Sequence, residues 1–399
     1  MIATLDLDIR PGSGVGMFEL GLFTKASRSP ELMSVVSVLG ASLWAVIDML
    51  RGLQHLFPQV EVKFDPDNSA TTPVILHLRP HLDLLFSGYH QRLHTICVRK
   101  LREPHPPLTL RYKNTVISSA AEPFVRVHIS RTFGPTYPGD ELKYPGIWFS
   151  FDGDGVNEGF KGGITHMEQR TQEVKRIFVR QKPVDGEERD ALDEVLPCPI
   201  MHGDISSAVI KIHEGVHFNF YSSTLHLLVR IGVTTAQDLT IDLGPPSRVH
   251  HKEDERMTIH SPNPQAFEDE GSTDYFYNYF HHGVDFLISG QTHIVRKIII
   301  HSNVPGSPLF QRYKRCPWEL EGKPEDDEDD SPPRKHFYDK FEMMSHFLSP
   351  QEPPPSMLLD RTDEYDNVTL ASSTTRLYGY DGVILEVNEA SQVVTVILF

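Results

Sequence analysis

The apolar positions of this chain follow two periods, and the shorter one returns at four places. Leu93-His94-Thr95-Ile96-Cys97-Val98, Val174-Lys175-Arg176-Ile177-Phe178-Val179, Val295-Arg296-Lys297-Ile298-Ile299-Ile300 and Val394-Thr395-Val396-Ile397-Leu398-Phe399 all read as strands rich in β-branched residues. Before three of them stands another apolar run and a polar turn: Leu84-Leu85-Phe86 with Ser87-Gly88, Phe286-Leu287-Ile288 with Ser289-Gly290, and Ile384-Leu385-Glu386-Val387 with Asn388-Glu389. Each such pair is a β-hairpin signal.

Upstream of each hairpin the period lengthens towards that of a helix. Leu43, Val46, Ile47, Leu50 and Leu53 precede Phe57-Pro58, and Phe337, Phe341, Met344 and Leu348 precede Ser349-Pro350. A third helix starts at Thr234-Thr235, with Asp238 placed to cap its first turn, and ends at Leu243-Gly244-Pro245. The second segment is ambiguous: Val125, Val127 and Ile129 alternate like a strand, while Pro123 and the closing Phe133-Gly134-Pro135 suit a helix. The expected fold is therefore α+β. It consists of tandem repeats of an amphipathic helix plus an antiparallel hairpin or small sheet, each a two-layer α/β sandwich.

Read in this way, residues 1–103 form a first unit and 104–182 a second, with a long glycine-rich loop at 152–173. Residues 198–318 form a third, with extra strands between Cys198 and Leu228, and 336–399 a fourth. Residues 319–335 read as an acidic, proline-containing linker, because Glu325-Asp326-Asp327-Glu328-Asp329-Asp330 repels itself and carries nothing apolar to bury. Leu5, Leu7 and Ile9 alternate with charges, the pattern of a half-buried strand and not of a signal peptide. The apolar stretch from Leu32 to Leu50 is broken by Ser34, Ser37, Gly40, Ser42 and Asp48, too polar to span a bilayer comfortably. Asn367-Val368-Thr369 matches a glycosylation sequon, which without a secretory signal is a chance surface triplet.

Composition narrows the function classes. Against 38 Lys and Arg stand 54 Asp and Glu, a formal charge of −16, which argues against non-specific attraction to nucleic acid or an anionic membrane surface. The three cysteines, Cys97, Cys198 and Cys316, lie far apart, so no disulfide framework or structural zinc site is written, and a reducing compartment fits best.

His213-Glu214-Gly215-Val216-His217 has the HExxH spacing of zinc peptidases, and a metal-dependent hydrolase using His213, Glu214 and His217 is the enzyme alternative. That chemistry requires a helix, on which both histidines share one face. In a strand they stand about 13 Å apart, too far for one ion; the alternation of Ile210, Ile212, Val216, Phe218 and Phe220 with polar residues favours the strand. Asp152-Gly153-Asp154-Gly155 starts like a calcium loop, but Val156 and Gly163 stand where oxygen ligands are needed. No catalytic, cofactor or metal residue is assigned.

Asp274-Tyr275-Phe276-Tyr277-Asn278-Tyr279-Phe280 is the densest aromatic run. As a strand it places Tyr275, Tyr277 and Tyr279 on one face. One reading puts phenylalanine in the core and tyrosine at its edge; the other makes the three tyrosines a partner-binding ladder, rigid contact area with polar tips.

Ile259-His260-Ser261-Pro262-Asn263-Pro264, Ser272-Thr273-Asp274 with the aromatic run, Gly283-Val284-Asp285, Thr292-His293-Ile294-Val295-Arg296-Lys297 and His301-Ser302-Asn303-Val304-Pro305-Gly306 together resemble the phagosome assembly factor 1 family. Weaker likeness covers Met1 to Leu101, Phe133-Gly134-Pro135-Thr136 and the C-terminal hairpin. The resemblance implies a eukaryotic, non-enzymatic adaptor of autophagy. It would act in complex with a phosphoinositide-binding WD-repeat β-propeller at forming autophagosomes, recruited from the cytoplasm to preautophagosomal structures, with an older association to Golgi vesicle traffic. Membrane contact would be indirect, through the propeller. A scaffold of vesicle trafficking and a pocket module holding a lipid or small ligand are the non-enzymatic alternatives. Phe18-Glu19-Leu20-Gly21 and Val38-Leu39-Gly40 both resemble the family's entry into the first helix, so 22–38 reads as an insertion, and the acidic run at 325–330 is no family signature.

Overall fold

The computed structural model describes residues 5–20, 42–119, 121–136, 142–151, 170–181, 199–222, 226–252, 273–322, 332–349, 353–360 and 374–399. The insertion at 22–38, the acidic run at 325–330, most of the 152–173 loop, the Asn367 sequon, Cys198 and the Ile259 to Pro264 motif lie outside the described residues. The chain divides into two compact units, one of Met1–Asp65 with Thr72–Ile200, the other of Pro66–Thr71 with Met201–Phe399.

In the first unit, chain order runs β1 (Leu5–Arg10), β2 (Gly14–Val15), β3 (Phe18–Glu19), α1 (Leu43–Gly52), β4 (Val60–Lys63), β5 (Val74–Leu78), β6 (Leu82–Phe86) and β7 (Leu93–Arg99). It continues through β8 (Leu108–Tyr112), β9 (Thr115–Ser118), α2 (Arg126–Phe133), β10 (Leu142–Tyr144), β11 (Ile147–Ser150) and β12 (Arg176–Arg180). These strands form a five-stranded sheet in the order β3-β2-β1-β8-β9 and a seven-stranded sheet in the order β10-β11-β12-β7-β6-β5-β4.

The second unit runs β13 (Ile205–Lys211), β14 (Gly215–Phe220), β15 (His226–Arg230), α3 (Ala236–Leu243), β16 (Arg248–His251), β17 (Tyr275–Tyr279), β18 (Val284–Ile288) and β19 (Val295–His301). It ends with β20 (Trp318–Glu321), β21 (Arg334–His336), α4 (Phe341–Leu348), β22 (Ser356–Asp360), β23 (Thr374–Tyr380), β24 (Val383–Val387) and β25 (Val393–Leu398). Its sheets are β15-β14-β13-β20-β21 and β16-β17-β18-β19-β25-β24-β23-β22. Among the described residues, all pairing is antiparallel apart from the parallel pairs β1 with β8 and β13 with β20.

The expectation of tandem helix-plus-hairpin units, each a separate two-layer α/β sandwich, is overturned. Strand dominates, and the hairpins do not stand alone: β7 pairs with β12 and β19 with β25 along their length. The four recurrent strands are thus each other's partners at the centres of the two large sheets. The reason is the hairpin edge, whose unpaired N–H and C=O groups cannot stay dry unless another strand takes them. Segments with weak patterning, such as Val60–Lys63 and Arg248–His251, extend the sheets further. The acidic run falls between β20 and β21, which pair as a hairpin with Glu319 opposite His336.

The four described helices lie in the four segments ahead of the recurrent strands, the ambiguous second segment among them, and all are anchored in the same way. Their N-cap residues bridge to the chain just ahead of the recurrent strand: Ser42 to Arg92, Val125 to Glu173, Thr235 to Ile294 and Lys340 to Gln392. The first helical N–H then donates to a turn carbonyl, Leu43 to Gln91 at 2.8 Å, Arg126 to Gln172 at 3.0 Å, Ala236 to His293 at 2.9 Å and Phe341 to Ser391 at 2.9 Å. One otherwise orphaned donor per helix is satisfied by the turn. In α1 the stripe Leu43, Val46, Ile47 and Leu50 is buried, each side chain contributing about 1.5–3 kcal/mol. Thr235 and Asp238 close a reciprocal capping box on α3.

Both sheets and both helices of the second unit share one core, with Phe218 of the smaller sheet meeting Phe286 of the larger edge-to-face at 6.5 Å. Trp318 is fully buried there and donates through Nε1 to Ser302 Oγ at 2.9 Å.

Candidate functional site

β17 carries the aromatic run, and its tyrosines turn inward. Tyr275 and Tyr279 are buried, and Tyr277 is half-buried. The Tyr279 hydroxyl donates to the Gly244 carbonyl at 3.0 Å and lies 3.5 Å from the Leu239 carbonyl, closing the C-terminal end of α3. Burial pushes that hydroxyl well above its ordinary titration range, so it remains a donor at any physiological pH. Tyr275 reaches His293 Nδ1 at 2.9 Å. Of the three tyrosines, Tyr277 is the one with surface to offer. It sits opposite Val249 of β16, which is 47% exposed. β16 and β22 end the eight-stranded sheet, and β22 exposes Met357 and Leu358.

The HExxH segment starts in the β13–β14 turn and runs into β14, so its second half is the expected strand. His213 has a positive φ of 66° between β13 and β14, and His217 stands on β14. The histidines therefore lack the shared helical face that zinc peptidase chemistry needs. His213 Nε2 lies 3.1 Å from Asp381 Oδ2, and Glu214 pairs with Arg230 at 3.9 Å. Gly215 is required here: at φ 146° a Cβ would lie 2.0 Å from the Val229 carbonyl oxygen. Among the described residues, no group of three or more His, Cys, Asp or Glu side chains is placed to hold a metal ion.

The polar motifs around Asp285 and His301 are instead structural. Asp285 stands in the wholly buried strand Val284–Ile288, where its Oδ2 accepts from the Tyr313 hydroxyl at 2.7 Å and lies 2.9 Å from His301 Nε2. The His301 and Tyr313 rings stack at 3.6 Å. Arg315, also buried, donates to the Ser302 carbonyl at 2.7 Å and the Ala70 carbonyl at 2.8 Å. Sequence reasoning gave these residues no role. The available signal was a lone aspartate inside an apolar run, since a buried charge needs partners.

At the β17–β18 turn, His281 and His282 lie ring to ring at 4.1 Å. His281 Nδ1 is 3.0 Å from Ser247 Oγ, and Lys314, paired with Asp204, stands nearby. Burial, then His281 and Lys314, pull the His282 pKa down from 6.5 to about 3. Burial and Lys314 lower His281 as well. The His282 ring stays neutral in the fold above about pH 3, while in the unfolded chain it takes up a proton below pH 6.5. Stability is therefore full above that value and is lost as pH falls from there towards 3. The second unit is expected to lose up to about 1.4 kcal/mol per pH unit from His282 between pH 6 and 5. Urea midpoints at those pH values, read with and without His282→Phe, check this, and an unchanged pH slope in the variant contradicts it.

The chain is thus a two-unit β protein whose largest described sheet ends in two exposed strands. The sequence profile described as phagosome assembly factor 1 matches residues 35–399, and the chain belongs to that family. Relatives carrying the name PHAF1 protein occur in plant, worm and fly. The Arabidopsis thaliana protein is 24% identical over 419 residues, covering 98% of this chain and 92% of its own. That of Caenorhabditis elegans is 24% identical over 421 residues, covering 94% of each chain. That of Drosophila melanogaster is 23% identical over 404 residues, covering 91% of this chain and 90% of its own. No solved structure matches. Among the described residues no helix is long and apolar enough to cross a membrane.

Proposed function

We propose that this chain is a non-enzymatic adaptor of autophagosome formation. It works in the cytoplasm in complex with a phosphoinositide-binding WD-repeat β-propeller and reaches forming autophagosomes through that partner. The observation that carries the reading is the family match across residues 35–399. Two features support it: the formal charge of −16 disfavours direct adhesion to anionic lipid, and half-buried Tyr277 beside exposed Val249 offers an aromatic contact near the outer strand of the large sheet. A tyrosine at the centre of an interface is a common anchor.

The test is affinity purification of the tagged full chain from its own cells, with and without starvation, followed by mass spectrometry. A WD-repeat propeller is expected with the wild-type chain. The Tyr277→Ala/Val249→Ala variant, with an unchanged melting temperature, is expected to recover at least tenfold less of it, since a loss of about 1.4 kcal/mol is tenfold in affinity. Absence of any propeller from the wild-type sample rejects the adaptor reading; full recovery with the variant rejects the contact surface.

A further inference from the structure

Where β7 leaves the seven-stranded sheet, the first unit holds a cavity of about 420 Å3, lined in part by Arg99, Lys100, Arg102, Lys175 and Arg176. Two carboxylates, Glu103 and Glu173, share it, and Asp83 pairs with Arg99 from outside the lining, so five cations against three anions leave an excess of two positive charges. In a chain of formal charge −16 this concentration opposes the overall composition.

The strand register sharpens the point. Arg99 of β7 and Arg176 of β12 are direct cross-strand partners, and like charges in that position oppose folding. Arg99, its side chain 13% exposed, is held with Nε 2.9 Å from Asp83 Oδ2. Glu173 is divided between Lys175 at 3.1 Å and Arg102 at 3.8 Å. Lys100 takes a left-handed backbone, φ 46°, and its carbonyl accepts from the Glu103 N–H at 3.1 Å, with His81 Nδ1 also 3.1 Å away. The cations therefore stand on a pinned strand end and turn. Ion pairing orients several of these groups, Glu173 holding two cations and Asp83 holding Arg99, and the two arginines still stand face to face across the strands.

We propose that this cavity binds a small polyanion carrying two or more phosphate groups. Its volume lies within the ordinary range for small-molecule sites. Guanidinium forks suit phosphate oxygens bidentately, and the twofold charge excess calls for more than a single monovalent anion. The phosphates can belong to a soluble polyphosphate or to a phosphorylated lipid headgroup, because the recognising chemistry is the same.

Titration calorimetry of the full chain with tripolyphosphate and with inositol hexakisphosphate, at low and at physiological salt, tests the soluble source. Flotation with phosphatidylcholine vesicles, with and without phosphorylated phosphatidylinositol, tests the lipid source. Lys100→Gln/Arg102→Gln is expected to weaken binding about tenfold for each charge removed, the scale of a charge-assisted hydrogen bond. Arg248→Gln/Lys252→Gln, exposed positions in the second unit, is expected to leave it unchanged. Binding of the soluble probes that is lost in the cavity variant supports the proposal with a free ligand. Vesicle binding lost in the same variant supports it with a headgroup. No binding in either arm, or equal loss in both variants, overturns it.

Discussion

Asp285→Ala is expected to destabilise the second unit by about 3–5 kcal/mol, the cost of breaking one side of a buried, hydrogen-bonded polar cluster. Asp285 is 4% exposed, and its Oδ2 serves both Tyr313 and His301. Removing the carboxylate leaves a hydroxyl and an imidazole nitrogen buried with their acceptor gone, and each loses the bond that offset its desolvation. Trp318, the one tryptophan of the second unit, reports the transition by fluorescence once Trp44 and Trp148 are replaced by phenylalanine. Replacing the cluster as a whole, Asp285→Leu with His301→Leu and Tyr313→Phe, is expected to recover part of the loss, because no polar group is then stranded. A loss below about 1 kcal/mol for Asp285→Ala would show the cluster to be solvated and the account wrong.

Tyr279→Ala is expected to cost about 3–5 kcal/mol, as large-to-small changes of buried aromatics do. Tyr279 is fully buried, its ring edge-on to Phe286 at 5.8 Å and its hydroxyl capping α3 through Gly244. Tyr279→Phe separates the two contributions. It keeps the ring and leaves the Gly244 carbonyl without this donor, at about 1–3 kcal/mol. Urea denaturation followed at Trp318 measures both. If the two variants lose equal stability, the hydroxyl accounts for the effect and the packing argument fails. Because Tyr279 holds the fold, partner binding is tested at half-buried Tyr277, and the melting temperature is checked because its ring packs against the core.

The strands and helices were legible because their periods are local. Leu5, Leu7 and Ile9 alternate into β1, the stripe from Leu43 to Leu50 makes α1, and Thr235 with Asp238 caps α3. The recurrent strands were legible too, but not their pairing. β7 meets β12 across a gap that includes α2, and β1 meets β8 in parallel some hundred residues on. Register at that distance is set by which edges remain open once local hairpins form, and no residue spacing encodes it. The aromatic run was visible as a strand, but both faces of β17 suit aromatics; which of them meets α3 depends on Gly244 and Leu239 arriving above Tyr279.

The sequence by itself determined the local elements, the recurrent strand and the family, since each rests on residue type and short spacing. Tertiary structure alone decided that the copies merge pairwise into two units, that His213 falls in the β13–β14 turn, and that Asp285 and His301 hold a core. It also decided that Arg99 faces Arg176 over a cationic cavity. These are contacts between residues far apart in the chain, and they exist only once the sheets have closed their edges.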